Sequence, residues 1–140
     1  MKNLAVVLLP AILAFPAQAN EVQQRQDAFS AIEKTVKQVT NALEQSEPDW
    51  KTVLASSQQL KSHSQSLMTL FPDGSEEGSK AKSSVWSKPE KFNALMAKMD
   101  QGFEQALVES QSQQLAGVKA GLKQAESTCK ACHRSYRSRW

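Results

Sequence analysis

The residues with the clearest chemistry stand near the end of the chain, where Cys129 and Cys132 are three positions apart and His133 follows directly. Two thiols at this spacing can add to the two vinyl groups of one porphyrin. A histidine directly after the second thiol can then reach the iron from one face. This C-x-x-C-H sequence therefore predicts a covalently attached haem c, held through both thiols, with His133 as an axial ligand of the iron.

Alternative functions for these three residues have weaker support from the sequence. A structural zinc site normally takes four ligands, whereas the chain offers two cysteines and two histidines, and a cysteine directly followed by histidine suits a tetrahedral site poorly. A thioredoxin-like redox pair expects a βαβ context, and strand-like runs are missing from this sequence. A disulfide between such close neighbours would close a small, strained loop with little to stabilise.

The stretch around the thiols has a helical period. Apolar and small residues recur there at intervals of three and four: Leu115, Val118, Leu122, Ala125, Cys129, Cys132 and Tyr136. Residues at this spacing share one face of a helix. Both cysteines are therefore predicted in line with the apolar face of a last helix, and the haem is expected inside a helical core.

Three further amphipathic segments precede this helix. They are predicted from about Glu21 to Gln45, from Trp50 to Phe71 with Ser46 as a helix-start signal, and from a capping-box pattern at residues 87–90 to the polar stretch at residues 110–114. The longest linker, rich in Gly and Ser, separates the second from the third and extends to about Ser87. Four such segments predict an all-α fold, an antiparallel up-down four-helix bundle with covalently bound haem.

Residues 1–19 are predicted to be a signal peptide that is cleaved. Lys2 gives a positive start, residues 4–13 are apolar, and Ala17 and Ala19 form a small-x-small cleavage signal. The apolar run is too short to span a bilayer. Residues 20–140 are therefore expected to form one exported cytochrome domain that is not embedded in a membrane, in a bacterium in the periplasm.

The charge of the chain is modest. Its formal net charge of +3 becomes +2 without Lys2, and two haem propionates would bring it near zero. The basic residues are spread among acids, so no nucleic-acid partner is expected. The locally basic residues 134–139 either complement a helix end or form a docking patch for an acidic redox partner. Ser, His and acidic residues show no catalytic arrangement, which predicts a protein that is not an enzyme.

Two residues outside the thiol-bearing helix attract attention. Arg25 occupies a position on the apolar stripe of the first segment, where a guanidinium must either reach solvent along its alkyl stem or bind an anion such as a haem propionate. Trp86 stands just before the third segment, where it either closes the core or lines the haem pocket.

Several side chains could in principle supply a second axial ligand to the iron. They are His63, Met68, Met96 and Met99. Met96 and Met99 stand in line with ordinary apolar neighbours, which favours core packing over ligation. His63 lies at the edge of an apolar face and is interpreted as an ordinary, partly exposed histidine.

The chain resembles the class II c-type cytochromes, the cytochrome c′ family, over essentially all of residues 20–140. The likeness rests on the C-x-x-C-H sequence in the last of four helices and on Arg25-Gln26-Asp27-Ala28-Phe29, which is similar to the family's first-helix motif. It also rests on Phe71-Pro72 and Val85-Trp86 in the long loop. The position of the haem sequence near the C-terminus, together with the first-helix motif, is much more specific than the haem sequence alone.

The resemblance implies a left-handed four-helix bundle with His133 as proximal ligand and Arg25 near a haem propionate. It implies that Phe29 lies over the distal face, where family members with Met look like six-coordinate electron carriers. Phenylalanine has no lone pair to donate, so the iron is expected to be five-coordinate. Arg137 falls where the family often has a basic residue near the proximal face.

The function expected from this likeness is binding of small diatomic gases, NO and CO, electron transfer with a redox partner protein, or both. A homodimer is possible. The alternative is a low-spin, six-coordinate electron carrier that uses a methionine or histidine as its second ligand.

Overall fold

The computed structural model describes residues 18–139 of the chain, with side chains from Asn20 onward. The predicted signal peptide lies almost entirely outside these residues. That segment and the domain boundary after it therefore remain predictions.

Helices dominate the described part of the chain. They are α1 (Gln18–Leu43), α2 (Trp50–Leu67), α3 (Ser84–Ser87), α4 (Pro89–Gln111) and α5 (Leu115–Tyr136). The four long helices correspond to the four predicted segments. Their main apolar stripes form one buried core, which includes Ile32, Val53, Phe103 and Val118.

The helix boundaries differ from the predicted ones in several places. The second segment ends as a helix at Leu67, before the predicted Phe71, because Met68 and the residues after it form tighter turns. The single turn of α3 was missed, since four residues are too few to show a period. The capping box at residues 87–90 was a wrong interpretation: Ser87 belongs to α3, and Lys88 starts α4 without a side-chain cap.

The start of α2 is capped by Asp49, three residues after the predicted Ser46. The Asp49 carboxylate accepts hydrogen bonds from the backbone N–H of Thr52 at 3.1 Å and from its hydroxyl at 2.6 Å. These bonds stabilise the charged form and lower the pKa of Asp49 below its usual value of 3.8. The carboxylate therefore satisfies one of the free N–H groups at the helix start.

Replacing Asp49 with alanine is expected to lower the unfolding midpoint at pH 7 and to matter much less at pH 3. A carboxylate whose pKa falls on folding adds stability above its unfolded value, and that stability is lost as the pH drops through the folded value. Urea unfolding of wild type and variant at both pH values measures the difference. Glu47→Ala makes the same charge change in the same exposed connection. Its effect on the unfolding midpoint should not become smaller between pH 7 and pH 3. An equal effect of both substitutions would contradict the cap.

The long helices pack in sequence around the bundle. α1 packs against α2, α2 against α4, and α4 against α5. Each of these neighbours follows the previous one through a connection that reverses the chain direction, so the helices alternate up and down. This arrangement confirms the predicted all-α four-helix bundle.

The closest helix contact joins α4 to α5 at two glycines. A Cβ atom on Gly102 would lie 2.6 Å from the backbone O of Gly121 and 2.7 Å from the backbone N of Ala125. A Cβ atom on Gly121 would lie 2.5 Å from the backbone O of Gly102. Because the opposing atoms belong to the backbone, α5 can approach α4 this closely only where both positions lack a side chain.

Gly102→Ala is expected to destabilise the protein by about 2 kcal/mol, because the new methyl group forces two backbones apart. This loss exceeds the roughly 1 kcal/mol that alanine gains over glycine in a helix. Guanidinium unfolding of the haem-loaded protein measures it. Gly117→Ala is the matched control, since its Cβ would meet only the flexible side chain of Glu109. Equal destabilisation by the two substitutions would show that the glycine contact does not limit the packing.

Candidate haem site

The predicted attachment residues lie together in the last turns of α5. Cys129 and Cys132 are both unpaired cysteines, and His133 follows within the same helix. Cys132 is half-buried, whereas Cys129 and His133 are exposed. Cys129 lies on the predicted stripe, one turn after the buried Ala125, and its enclosure in a haem-containing core stays a prediction. Thr128, one residue earlier, takes the buried position in that turn.

The thiols are held in their neutral form. Burial is the main cause that raises the pKa of Cys132 to about 11, and the neighbouring Cys129 adds to it. Burial and the negative charge of Glu126 likewise raise the pKa of Cys129. A catalytic redox pair needs at least one cysteine whose pKa is lowered. The local environment therefore favours two thiols that serve as attachment points over a thioredoxin-like pair.

The thiol-bearing end of α5 faces α1. His133 acts electrostatically on Glu33 of α1, which places these two exposed side chains near each other. Further along the same pair of helices, a groove of about 300 Å³ lies between Thr40 and Leu43 of α1 and Lys119 and Leu122 of α5. Among the described helices, α1 and α5 are neighbours that do not pack closely. This groove ends at Glu126, before the first thiol, and the chemistry of two thiols and an imidazole fits covalent attachment of a haem at the following turns of α5.

Arg25 is buried with its charge, at 3% exposure. Nη1 donates to the carbonyl of Leu70 at 3.0 Å and to the hydroxyl of Ser75 at 2.8 Å, and Nη2 donates to the carbonyl of Ser75 at 2.5 Å. The guanidinium also lies 4.7 Å from the ring centre of Phe71. The idea that Arg25 reaches solvent is therefore wrong. Its bond to a haem propionate stays a prediction, and the three hydrogen bonds use three of its five N–H groups.

Burial places an electrostatic cost on the charge of Arg25. It lowers the pKa of the guanidinium below its ordinary value, while the carboxylates of Glu76 and Glu21 act in the opposite direction. An arginine remains protonated at neutral pH even so. A buried cation at this place is thus kept by its hydrogen bonds, its two acidic neighbours and the aromatic face beneath it.

Phe29 lies one turn after Arg25 on α1 and is 40% exposed. Its ring meets Phe71 edge to face, with centres 6.4 Å apart. Phe71 in turn packs on Phe92 at 4.8 Å, and Phe92 packs on Tyr136 at 5.4 Å. These four rings run from α1 to the last turn of α5, beside the thiols. The sequence pointed to Phe29 through the family likeness, but Phe71 stood there only as part of a loop motif.

Trp86 holds the loop that carries Phe71. Its Nε1 donates to the carbonyls of Phe71 at 3.2 Å and Pro72 at 2.9 Å. Its ring lies 6.4 Å from that of Phe71 and 5.7 Å from the guanidinium carbon of Arg25. Trp86 therefore packs on the edge of the core and fixes the position of Phe71. Its place in the lining of the haem pocket stays a prediction.

The other candidates occupy ordinary positions. Met96 and Met99 are buried in the core, as predicted, while Met68 is 44% exposed and His63 is partly exposed. Arg137 ends α5 in extended backbone with an exposed side chain, so its place near the proximal face of the haem stays a prediction. Between residues 18 and 139 there is no group of three or more His, Cys, Asp or Glu that could hold a metal ion. None of the helices there combines the length and hydrophobicity needed to cross a bilayer.

Comparison with known proteins decides the family. The sequence profile of the cytochrome c′ family matches residues 20–137, which is nearly all of the described chain. The chain belongs to the cytochrome c′ family. It is therefore a c′-type monohaem cytochrome that carries covalently bound haem c, and the resemblance found in the sequence is confirmed. Members of this family are haem proteins of electron transfer and gas binding.

Similar proteins of known name agree with this assignment. Cytochrome c-556 from Agrobacterium tumefaciens (strain II Chrys) is 28% identical over 120 residues, which are 85% of this chain and 98% of that protein. Cytochrome c′ from Rubrivivax gelatinosus has the same fold, with a TM-score of 0.80 at 24% identity over 89% of this chain and 99% of that one. A variant of cytochrome c′ from Alcaligenes xylosoxidans, solved as its nitric oxide complex, gives 0.80 at 23% identity over 90% and 99%.

Proposed function

We propose that this chain is a periplasmic cytochrome c′ whose iron is five-coordinate, with His133 as proximal ligand and Phe29 over the distal face. The observation that carries the proposal is the place of Phe29, one turn beyond the buried Arg25 and in edge-to-face contact with Phe71. A phenyl ring at that place has no lone pair for the iron. It leaves one coordination position for a small ligand.

The haem supplies an iron that binds diatomic gases and exchanges an electron. The residues around it act by exclusion and orientation. Phe29 and Phe71 form an apolar surface that disfavours water and anions, while NO and CO are small and neutral and can enter when Phe29 moves. The nitric oxide complex of the Alcaligenes xylosoxidans protein supports this class of ligand.

The proximal side depends on α5. Cys129 and Cys132 would hold the haem by two thioether bonds, which fixes His133, the next residue along the helix, beneath the iron. Arg137, four residues beyond His133, is proposed to lie near the proximal face of the haem.

An absorption spectrum of the reduced protein tests the coordination number. A broad high-spin spectrum that shifts on addition of CO is the expected result. Sharp, split low-spin bands without CO would overturn the proposal and favour the six-coordinate electron carrier, with Met68, Met96, Met99 or His63 as second ligand. Retention of the haem in acidified acetone tests the covalent bonds of Cys129 and Cys132 separately.

The remaining parts of the proposal concern the cellular localisation of the protein and its partner proteins. Export to the periplasm rests on the sequence of residues 1–19, and cell fractionation with detection of the mature N-terminus at Asn20 tests it. We propose a redox partner protein in place of a substrate, and no catalytic role beyond this. A homodimer is proposed on the likeness to a cytochrome c′ described as having ligand-controlled dimer dissociation, which has a TM-score of 0.79 at 16% identity over 90% of this chain and 100% of that one.

A further inference from the structure

The end of α5 is bonded to the connection between α2 and α4. Ala81 and Arg137 form an antiparallel bridge. On either side of it, the backbone N–H of Ser138 donates to the carbonyl of Lys80 at 2.7 Å, and the N–H of Lys82 donates to the carbonyl of Tyr136 at 2.9 Å. Segments that are far apart in sequence, residues 80–82 and 134–139, therefore form one surface, which we call the basic end.

The basic end concentrates positive charge. It carries five cationic side chains and no acidic one: Lys80, Lys82, Arg134, Arg137 and Arg139. All five are exposed. In the described part of the chain, the salt bridges are those of Lys37 with Glu33 and of Lys61 with Asp100 and Glu104, so none involves the basic end. A chain with a formal net charge of only +3 thus has five positive charges at one corner of the bundle.

The helix dipole does not account for this concentration. A helix C-terminus carries about half a negative charge, which cations in the last turn complement. Arg134 is in that turn and satisfies this role. Lys82 also serves this end of the helix, because its Nζ donates to the carbonyl of Arg134 at 3.2 Å. Lys80 comes from a different segment, and Arg139 lies beyond the helix end. The basic end therefore carries more cations than the dipole of α5 would attract.

The basic end adjoins the haem site. Arg134 directly follows His133 on α5, and Tyr136 belongs to the row of rings that begins at Phe29. We propose that the basic end is the docking surface for the acidic face of a redox protein that exchanges one electron with the haem. This inference rests on the proposed attachment of the haem to α5. One electron passes between the partner's redox centre and the iron, and no bond is made or broken.

An acidic protein fits this surface better than an anionic membrane does. Peripheral membrane binding combines cations with exposed apolar side chains. Among the described residues, the exposed large hydrophobic side chains are Phe29, Met68, Val108 and Leu115. None of them belongs to the basic end. Charge without exposed apolar area is typical of transient electron-transfer contacts, which gain their association rate from electrostatic steering.

The test compares two pairs of charge reversals in the haem-loaded protein. Lys80→Glu with Arg139→Glu alters the basic end, and Lys51→Glu with Lys119→Glu makes the same change in net charge at the opposite end of the bundle. The control positions are exposed and lie in the first turns of α2 and α5. Lys119 is fourteen residues from His133, or about 21 Å along the helix.

The measured quantity is the second-order rate at which the ferrous protein is oxidised, followed by stopped flow. The first probe is hexacyanoferrate(III), which takes one electron from the iron. At low ionic strength the basic-end variant is expected to react about tenfold more slowly than wild type, and the control pair much less so. The wild-type rate should fall as salt is added, although the net charge of the loaded protein is near zero. Plastocyanin, an acidic copper protein, is the second probe. With it, the basic-end variant should again react more slowly than the control pair and the wild type.

Equal slowing by the two pairs would overturn the proposal, because it would show that only net charge matters. A wild-type rate that does not depend on salt would overturn it as well. Vesicle binding would also overturn it if the wild type bound phosphatidylglycerol vesicles, the basic-end variant did not, and the variant's reaction with plastocyanin stayed unchanged. The surface would then serve a membrane. A failure of the proposed five-coordinate iron can be told apart from a failure of the docking proposal. The first shows in the absorption spectrum of the unmodified protein, whereas the second shows in the comparison of rates between variants.

Discussion

Substituting alanine for Phe29 is expected to raise the association rate of CO with the ferrous protein by about 10- to 100-fold. If Phe29 covers the distal side of the haem as proposed, a ligand reaches the iron only when this ring moves, and its contact with Phe71 opposes the movement. An aromatic pair of this kind contributes about 0.5–1.5 kcal/mol, and an off-rotamer position of the ring costs a similar amount. Each 1.4 kcal/mol removed from the barrier is a factor of ten in rate. Laser photolysis of the CO complex measures the recombination.

Met68→Ala is the matched control for this substitution. Met68 is exposed to nearly the same degree as Phe29, at 44% against 40%, and it lies at the same end of the bundle. It lines a groove with Phe71 and Trp86 but directly follows α2 and does not belong to α1. Its removal should leave the CO rate unchanged. An equal acceleration by both substitutions, or none by Phe29→Ala, would contradict the role of Phe29 as the distal residue.

Phe29→Met gives an independent test of the same geometry. If Phe29 lies over the iron, a thioether sulfur at that place should bind it and convert the reduced spectrum to a low-spin form. The association rate of CO should then fall, because CO must displace the sulfur. A spectrum that remains high-spin would place residue 29 away from the iron, even if the alanine variant is fast for another reason.

The sequence was sufficient for the fold because each long helix repeats its apolar residues over several turns. A period of three to four residues survives the loss of one position, so α1 was predicted even though Arg25 interrupts its stripe. Helix ends have no such redundancy. Ser87 fits the capping-box pattern, but the chain forms one turn of α3 there first, and this turn packs on α4 and α5.

The haem site likewise has features that the sequence predicts and features that it does not. Cys129, Cys132 and His133 are adjacent in sequence, so their common chemistry could be predicted from spacing alone. Phe71 and the basic end depend on contacts between residues 14 to 58 positions apart, such as Trp86 with Pro72 and Lys80 with Ser138. No local pattern encodes such contacts.

Arg25→Met is expected to lower the free energy of unfolding by about 3 kcal/mol or more. The substitution keeps an unbranched apolar stem but removes the guanidinium and all three of its hydrogen bonds to Leu70 and Ser75. Bonds to a charged donor contribute roughly 1.5–3 kcal/mol each, and buried acceptors left without a donor add a penalty. Guanidinium unfolding of the haem-loaded protein measures the loss. Lys34→Met, which removes an exposed cation from the same helix, should change stability by less than about 0.5 kcal/mol.

The same substitution should loosen the loop that follows α2. Arg25 joins α1 to the turn at residues 70–75, and this turn positions Phe71 against Phe29. In the Arg25→Met variant, trypsin is expected to cut faster after Lys80 and Lys82. CO is also expected to bind faster, although Phe29 is intact. Ser75→Ala removes one partner, so a double-mutant cycle with Arg25→Met isolates their coupling. If Arg25→Met alters haem reduction but neither proteolysis nor this coupling energy, a haem propionate and not the loop is the main partner of Arg25.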